Sequence, residues 1–141
     1  MEGVDYVNTF IAVAPDSTAP TGMVPPERGG KPTVASRTWE LIATEPYRYT
    51  SGDVIFTVFA ERAGIPDADR TAAREEYYAI GRPCLRSSDL GKRYGWGVHA
   101  DADGRVAVYP IGSPEYEALE TGTGPTGEAL TVTRAMRSKR A

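Results

Sequence analysis

Apolar positions along the chain fall into short runs with two different spacings. Residues 4–13 place the β-formers Tyr6, Val7, Phe10, Ile11 and Val13 in a run that Pro15 and Asp16 close, which predicts a strand. Over 33–45, Val34, Thr38, Leu41 and Ile42 share one helical face, with Thr33 as cap and Pro46 as stop. The run Val54-Ile55-Phe56-Thr57-Val58-Phe59 fits a buried strand as well as a helix by periodicity. Its ends favour a helix over 50–63. Thr50 with Asp53 three residues on resembles a capping box, and Gly64-Ile65-Pro66 reads as a stop at a left-handed glycine.

A third helix begins at Asp67, carries Ala73, Tyr77 and Ile80 on one face and ends at Gly81. Residues 84–88 are a short strand candidate. Residues 94–100 and 105–110 flank Asp101-Ala102-Asp103-Gly104, the pattern of a β-hairpin with a turn at its tip. Ser113-Pro114-Glu115 opens a short helix through Glu120, and residues 130–133 form a last strand. Together these predict an α+β fold: an antiparallel sheet containing a central β-hairpin at about 94–110, with three to four helices packed mainly on one face. Alternation over 94–98 puts Tyr94, Trp96 and Val98 on the inward face, so Trp96 is expected to be buried.

At 141 residues the chain has the size of one domain, 1–141. Residues 15–32 hold five of the eleven prolines and three glycines, a composition that predicts a long Pro/Gly-rich loop, the most mobile internal segment unless a partner orders it. The longest apolar run, Phe10 to Ala14, is too short for a bilayer, and the first residues lack the pattern of a secretory signal. A single cysteine, Cys84, excludes an internal disulfide, so the cytoplasm is the expected compartment. Of the 16 basic residues, four (Arg134, Arg137, Lys139 and Arg140) lie in the basic tail 134–141. That leaves 12 against all 19 acids, about −7, in the body. An acidic body disfavours nucleic acid, which needs several cations on one surface.

Two formal motif matches dissolve on inspection. Gly122-Thr123-Gly124-Pro125-Thr126-Gly127 satisfies G-x-G-x-x-G, but it follows a helix, precedes a strand, and loses an N–H at Pro125. Asp101 to Gly104 lacks the remaining oxygen ligands of a calcium loop and suits a hairpin tip. No cofactor or metal is therefore expected. A more informative stretch is Lys92-Arg93-Tyr94-Gly95-Trp96-Gly97-Val98-His99. As a strand it would align Arg93, Gly95, Gly97 and His99 on one face, a strip of bare backbone between a guanidinium and the only imidazole. Either a helix packs over that strip or it forms an anion site together with Arg86.

Residues 5–11, 28–33, 53–56, 83–88, 92–99 and 135–140 also resemble, in order and over nearly the whole chain, an uncharacterised bacterial family known only as a domain of unknown function. The resemblance implies a small stand-alone protein and supplies no site residues. Three readings follow. The first is a binding module for an anionic small molecule or a protein partner, using Arg86, Arg93, Gly95, Gly97 and His99. A small enzyme with Cys84 as nucleophile and His99 as base is the second. The third is weak nucleic-acid binding through Lys92, Arg93, Trp96 and the basic tail. No motif names a reaction.

Overall fold

The computed structural model describes residues 2–138. Its elements are β1 (Thr9–Ala12), α1 (Val34–Thr44), α2 (Ser51–Ala63), a 3₁₀ turn (Asp67–Asp69) running into α3 (Arg70–Tyr77), a second 3₁₀ turn (Leu85–Ser87), α4 (Asp89–Lys92), β2 (Trp96–Ala100), β3 (Val106–Pro110), α5 (Pro114–Glu120) and β4 (Thr131–Arg134). The fold is α+β, and the hairpin is β2–β3.

The caps read from sequence hold the two long helices. The Thr33 hydroxyl accepts from Ser36 N–H at 3.1 Å while Ser36 Oγ accepts from Thr33 N–H at 2.8 Å, a reciprocal box that starts α1. Thr50 and Asp53 do the same for α2, at 3.1 and 3.0 Å. The α2 helix ends at Gly64 with φ +70, where Ile65 N–H reaches back to the Ala60 carbonyl at 3.0 Å.

The sheet has the order β3-β2-β1-β4, and it is mixed where a wholly antiparallel one was expected. β1 pairs antiparallel with β2 but parallel with β4. Because β3 is antiparallel to β2, β3 and β4 run in the same direction at opposite edges. The short α5 is the crossover that joins them, a connection parallel strands require. It lies across the face bearing Phe10 and Ala12, where Tyr116 and Leu119 complete a small core. The opposite face, with Ile11, Val98, Ala100 and Val106, packs on Leu41, Ile42, Val54, Val58 and Leu85, so most helices lie on one side.

Several local expectations differ from what forms. The first strand is limited to Thr9–Ala12, because Asn8 turns at φ +47 and residues 2–5 fold onto the start of α2 instead. There Asp5 accepts from Gly52 N–H at 2.7 Å, and Arg74 bridges Glu2 and Asp53 at 2.8 and 2.9 Å. Residues 84–88 make a 3₁₀ turn, not a strand, with Ser87 and Ser88 N–H returning to the carbonyls of Cys84 and Leu85. The strand expected over 94–100 starts only at Trp96, since Asp89–Lys92 is a helical turn and Gly95 has φ +78. Trp96 is half-buried, packed on Trp39 at 5.7 Å between ring centroids. The 15–32 loop has no helix or strand, yet it is tied along that tryptophan: Met23 N–H donates to the Tyr94 carbonyl at 2.8 Å, and Trp96 Nε1–H to the Met23 carbonyl at 2.9 Å.

Gly97 lies under the Phe10 and Tyr116 rings, which meet edge-on at 5.1 Å. A Cβ there would stand 2.4 Å from Phe10 Cζ and 2.8 Å from Tyr116 Cε2. Gly97→Val should therefore destabilise the fold by overpacking, by roughly 1–3 kcal/mol in urea unfolding. An unchanged midpoint would show that the rings yield without cost.

Candidate functional site

The expected Arg93–Gly95–Gly97–His99 strip does not assemble. The left-handed Gly95 breaks the alternation, so Arg93 sits off the strand, exposed, over the Tyr94 ring and 4.0 Å from Asp89. At Gly95 a Cβ would collide with the Thr21 carbonyl, and at Gly97 with Phe10 and Tyr116, so both glycines are places where the chain packs on itself. Arg86 donates from Nε to the Arg134 carbonyl at 2.7 Å. Arg134 in turn meets Glu120 at 3.3 Å, while Lys139 and Arg140 of the basic tail lie outside the described residues. The Trp96 ring is committed to Trp39 and Met23, and Lys92 ends α4.

His99 and Cys84 are on opposite faces of the sheet. His99 shares its face with Phe10 and Ala107, its cross-strand neighbours. It is 1% exposed, and its Nδ1 lies 2.8 Å from the Tyr47 hydroxyl, which lies 2.7 Å from that of Tyr109. Tyr47 reaches this face by wrapping around the β3 edge. Pro46 ends α1, Tyr47 adopts φ +60, and its N–H donates to the Val106 carbonyl at 2.9 Å. His99 Nε2 has no hydrogen-bond partner among the described residues. Burial holds the imidazole below its usual pKa, against the weaker pull of Glu128 and Asp101. Cys84 instead faces the helical side, with Sγ 3.1 Å from the Tyr6 hydroxyl. Burial and the neighbouring Cys84 push that phenol up to about 12.

The helical side holds a feature the sequence did not announce. A cavity of about 590 Å³ opens between α1, α2 and the 83–89 turn. Ala35 and Thr38 of α1 form one wall, with Ile55, Val58 and Phe59 of α2 beside them. The facing wall is a short polar run: Cys84, Ser87, Ser88 and Asp89. Tyr77 reaches in from α3, stacked on Phe59 at 4.4 Å and covered by the Arg82 guanidinium at 4.0 Å. The helices are clamped by Arg37, whose Nε and second terminal nitrogen grip Glu61 at 2.8 and 2.9 Å. Small side chains at 35, 63, 84, 87 and 88 then leave the space unfilled. The sequence does carry a trace of it. The α2 run is apolar around more than one face, so it has to meet the sheet on one side and something else on the other.

The His99 environment generates a pH dependence. The unfolded chain takes up the His99 proton near its ordinary value of 6.5, whereas the folded chain does so only at lower pH. Stability is therefore complete above about pH 6.5 and declines as pH falls beneath it, by up to about 1.4 kcal/mol per pH unit. Denaturant unfolding at stepped pH should show stability falling below about pH 6.5, and His99→Asn should flatten that fall. A slope that persists in the variant would assign it elsewhere.

Comparison with known proteins bears on kinship only. No curated protein and no solved structure matches the chain. One family model does, over residues 1–141, and its description is "Family of unknown function (DUF6157)". The chain belongs to the DUF6157 family.

Proposed function

We propose that this protein is a binding module whose ligand is a small, largely apolar molecule held in the cavity between α1, α2 and the 83–89 turn. The observation that carries this reading is the cavity itself, about 590 Å³ with a mostly apolar lining and hydrogen-bonding groups gathered on one wall. Small-molecule sites have that size and that mixture, apolar contact for affinity and a few polar groups for orientation. The reading keeps the small-molecule class expected from sequence and moves it from the glycine strip, which the Thr21 backbone and the Phe10 and Tyr116 rings fill. An enzymatic reading through Cys84 has less support, because the thiol is hydrogen-bonded to a phenol and the imidazole faces the other side of the sheet.

A neutral fluorescent probe such as N-phenylnaphthylamine should bind saturably at one site. Ala35→Leu, which fills the cavity from α1, should weaken it by about tenfold or more while the variant still unfolds cooperatively. Bound probe should also slow alkylation of Cys84, the single thiol in the chain. Equal probe affinity in wild type and variant, with Cys84 labelling unchanged, would refute the assignment.

A further inference from the structure

The two charged side chains that line the cavity are not in the same condition. Asp89 has a counter-charge in Arg93, one turn on, at 4.0 Å. Arg62, in the last turn of α2, makes one hydrogen bond, to the Pro32 carbonyl at 3.4 Å, and has no carboxylate in ion-pair range among the described residues. Neighbouring helical arginines are paired: Arg37 with Glu61 and Glu40, Arg70 with Asp67, and Arg74 with Glu2 and Asp53. The unmatched charge at the mouth of the cavity is therefore positive, on the exposed Arg62 side chain. A second donor is available on the facing wall. Ser88 Oγ accepts from Leu90 N–H at 3.2 Å and keeps its own proton to give. Ser87, by contrast, directs its hydroxyl to Met136 Sδ at 3.1 Å.

From this asymmetry we infer that the ligand is an amphipathic carboxylate, an alkyl or aryl acid whose apolar body lies among Ala35, Val58 and Phe59 and whose head meets the Arg62 guanidinium. A planar guanidinium fork matches a carboxylate in geometry as well as charge. The apolar wall excludes a fully hydrated anion such as phosphate, because removing its water would not be repaid by apolar contact. Arg62 also complements the negative end of the α2 dipole, so a loss of stability on its replacement would not by itself test the inference. Selectivity between ligands does.

This inference rests on the cavity being the binding site, and the test separates the two claims. Decanoate, decanol and decylammonium share one apolar body and differ in the head. Each is titrated below its micelle concentration, by displacement of N-phenylnaphthylamine from wild type and Arg62→Gln. The expected result is decanoate binding at least about tenfold tighter than decanol to wild type, decylammonium weakest, and the preference for decanoate over decanol lost in Arg62→Gln with decanol affinity unchanged. Equal binding of decanoate and decanol by wild type, or tighter binding of decylammonium, would overturn the inference while leaving the cavity as the site. Displacement by none of the three would remove the site and the inference together. A preference for decanoate that survives in Arg62→Gln would place the head elsewhere and overturn the role of Arg62.

Discussion

The packing of Phe10 and Tyr116 over Gly97 is the constraint on which the rest of the architecture turns. β1 is buried along its whole length, so both faces of the sheet must be covered. On one face the cover is α5, a helix of seven residues, and it suffices because Tyr116 does two jobs. Its ring meets Phe10 edge-on, and its hydroxyl accepts from Val13 N–H at 2.9 Å, a buried donor beyond the end of the strand. Only a residue without Cβ at 97 lets both rings come down to the sheet. Once α5 is seated, the chain emerges beyond β1, and β4 pairs parallel to it through Thr131 N–H to Asn8 and Ala135 N–H to Ala12. The same seal buries His99, which lowers the pKa of its imidazole, with Nδ1 in hydrogen-bond contact with the Tyr47 hydroxyl.

With that face closed, space remains on the other. The α2 helix has two apolar sides. Val54 and Val58 belong to the core against the sheet, whereas Phe56 and Phe59 turn toward Tyr77 of α3. Between those sides the chain passes through 78–84 without a regular element, and Pro83 cannot sit inside a helix. Small residues at 84, 87 and 88 and at Ala35 leave the volume of about 590 Å³ unfilled. An open cleft of this size, walled on one side by hydroxyls, a thiol and a carboxylate and reached by a guanidinium with no acidic partner among the described residues, is what the proposed binding role rests on.

What the sequence revealed was local. The Thr33 and Thr50 caps, the left-handed stop at Gly64, the Asp-Gly hairpin tip and the Ser-Pro-Glu start of α5 are decided within a few residues, and each forms as its chemistry dictates. The misreadings all depend on contacts made at a distance. Gly95 turns left-handed where the 15–32 loop lies against it, which no alternation pattern records. Trp96 is held by a carbonyl of that loop and is half-buried, not enclosed. Residues 84–88 look like a strand but close into a 3₁₀ turn, with Ser87 and Ser88 N–H returning to Cys84 and Leu85 and Arg86 Nε reaching the Arg134 carbonyl. β4 was legible as a strand, but its parallel pairing follows from the α5 crossover and not from its own residues. The cavity was least legible, because it depends on small side chains from three separate segments meeting. Glycines at 95 and 97 gave the stronger pattern and turned out to be packing positions.

One face of the sheet is sealed, and the open apolar volume lies on the other. Methyl-resolved NMR of the isotopically labelled protein, titrated with a neutral apolar probe, tests this most directly, because the two faces carry different methyl groups. Saturable shifts are expected at Ile55, Val58 and Leu85, with Leu119 and Leu130 unmoved. Shifts concentrated at Leu119 and Leu130, with Ile55 and Val58 silent, would contradict it.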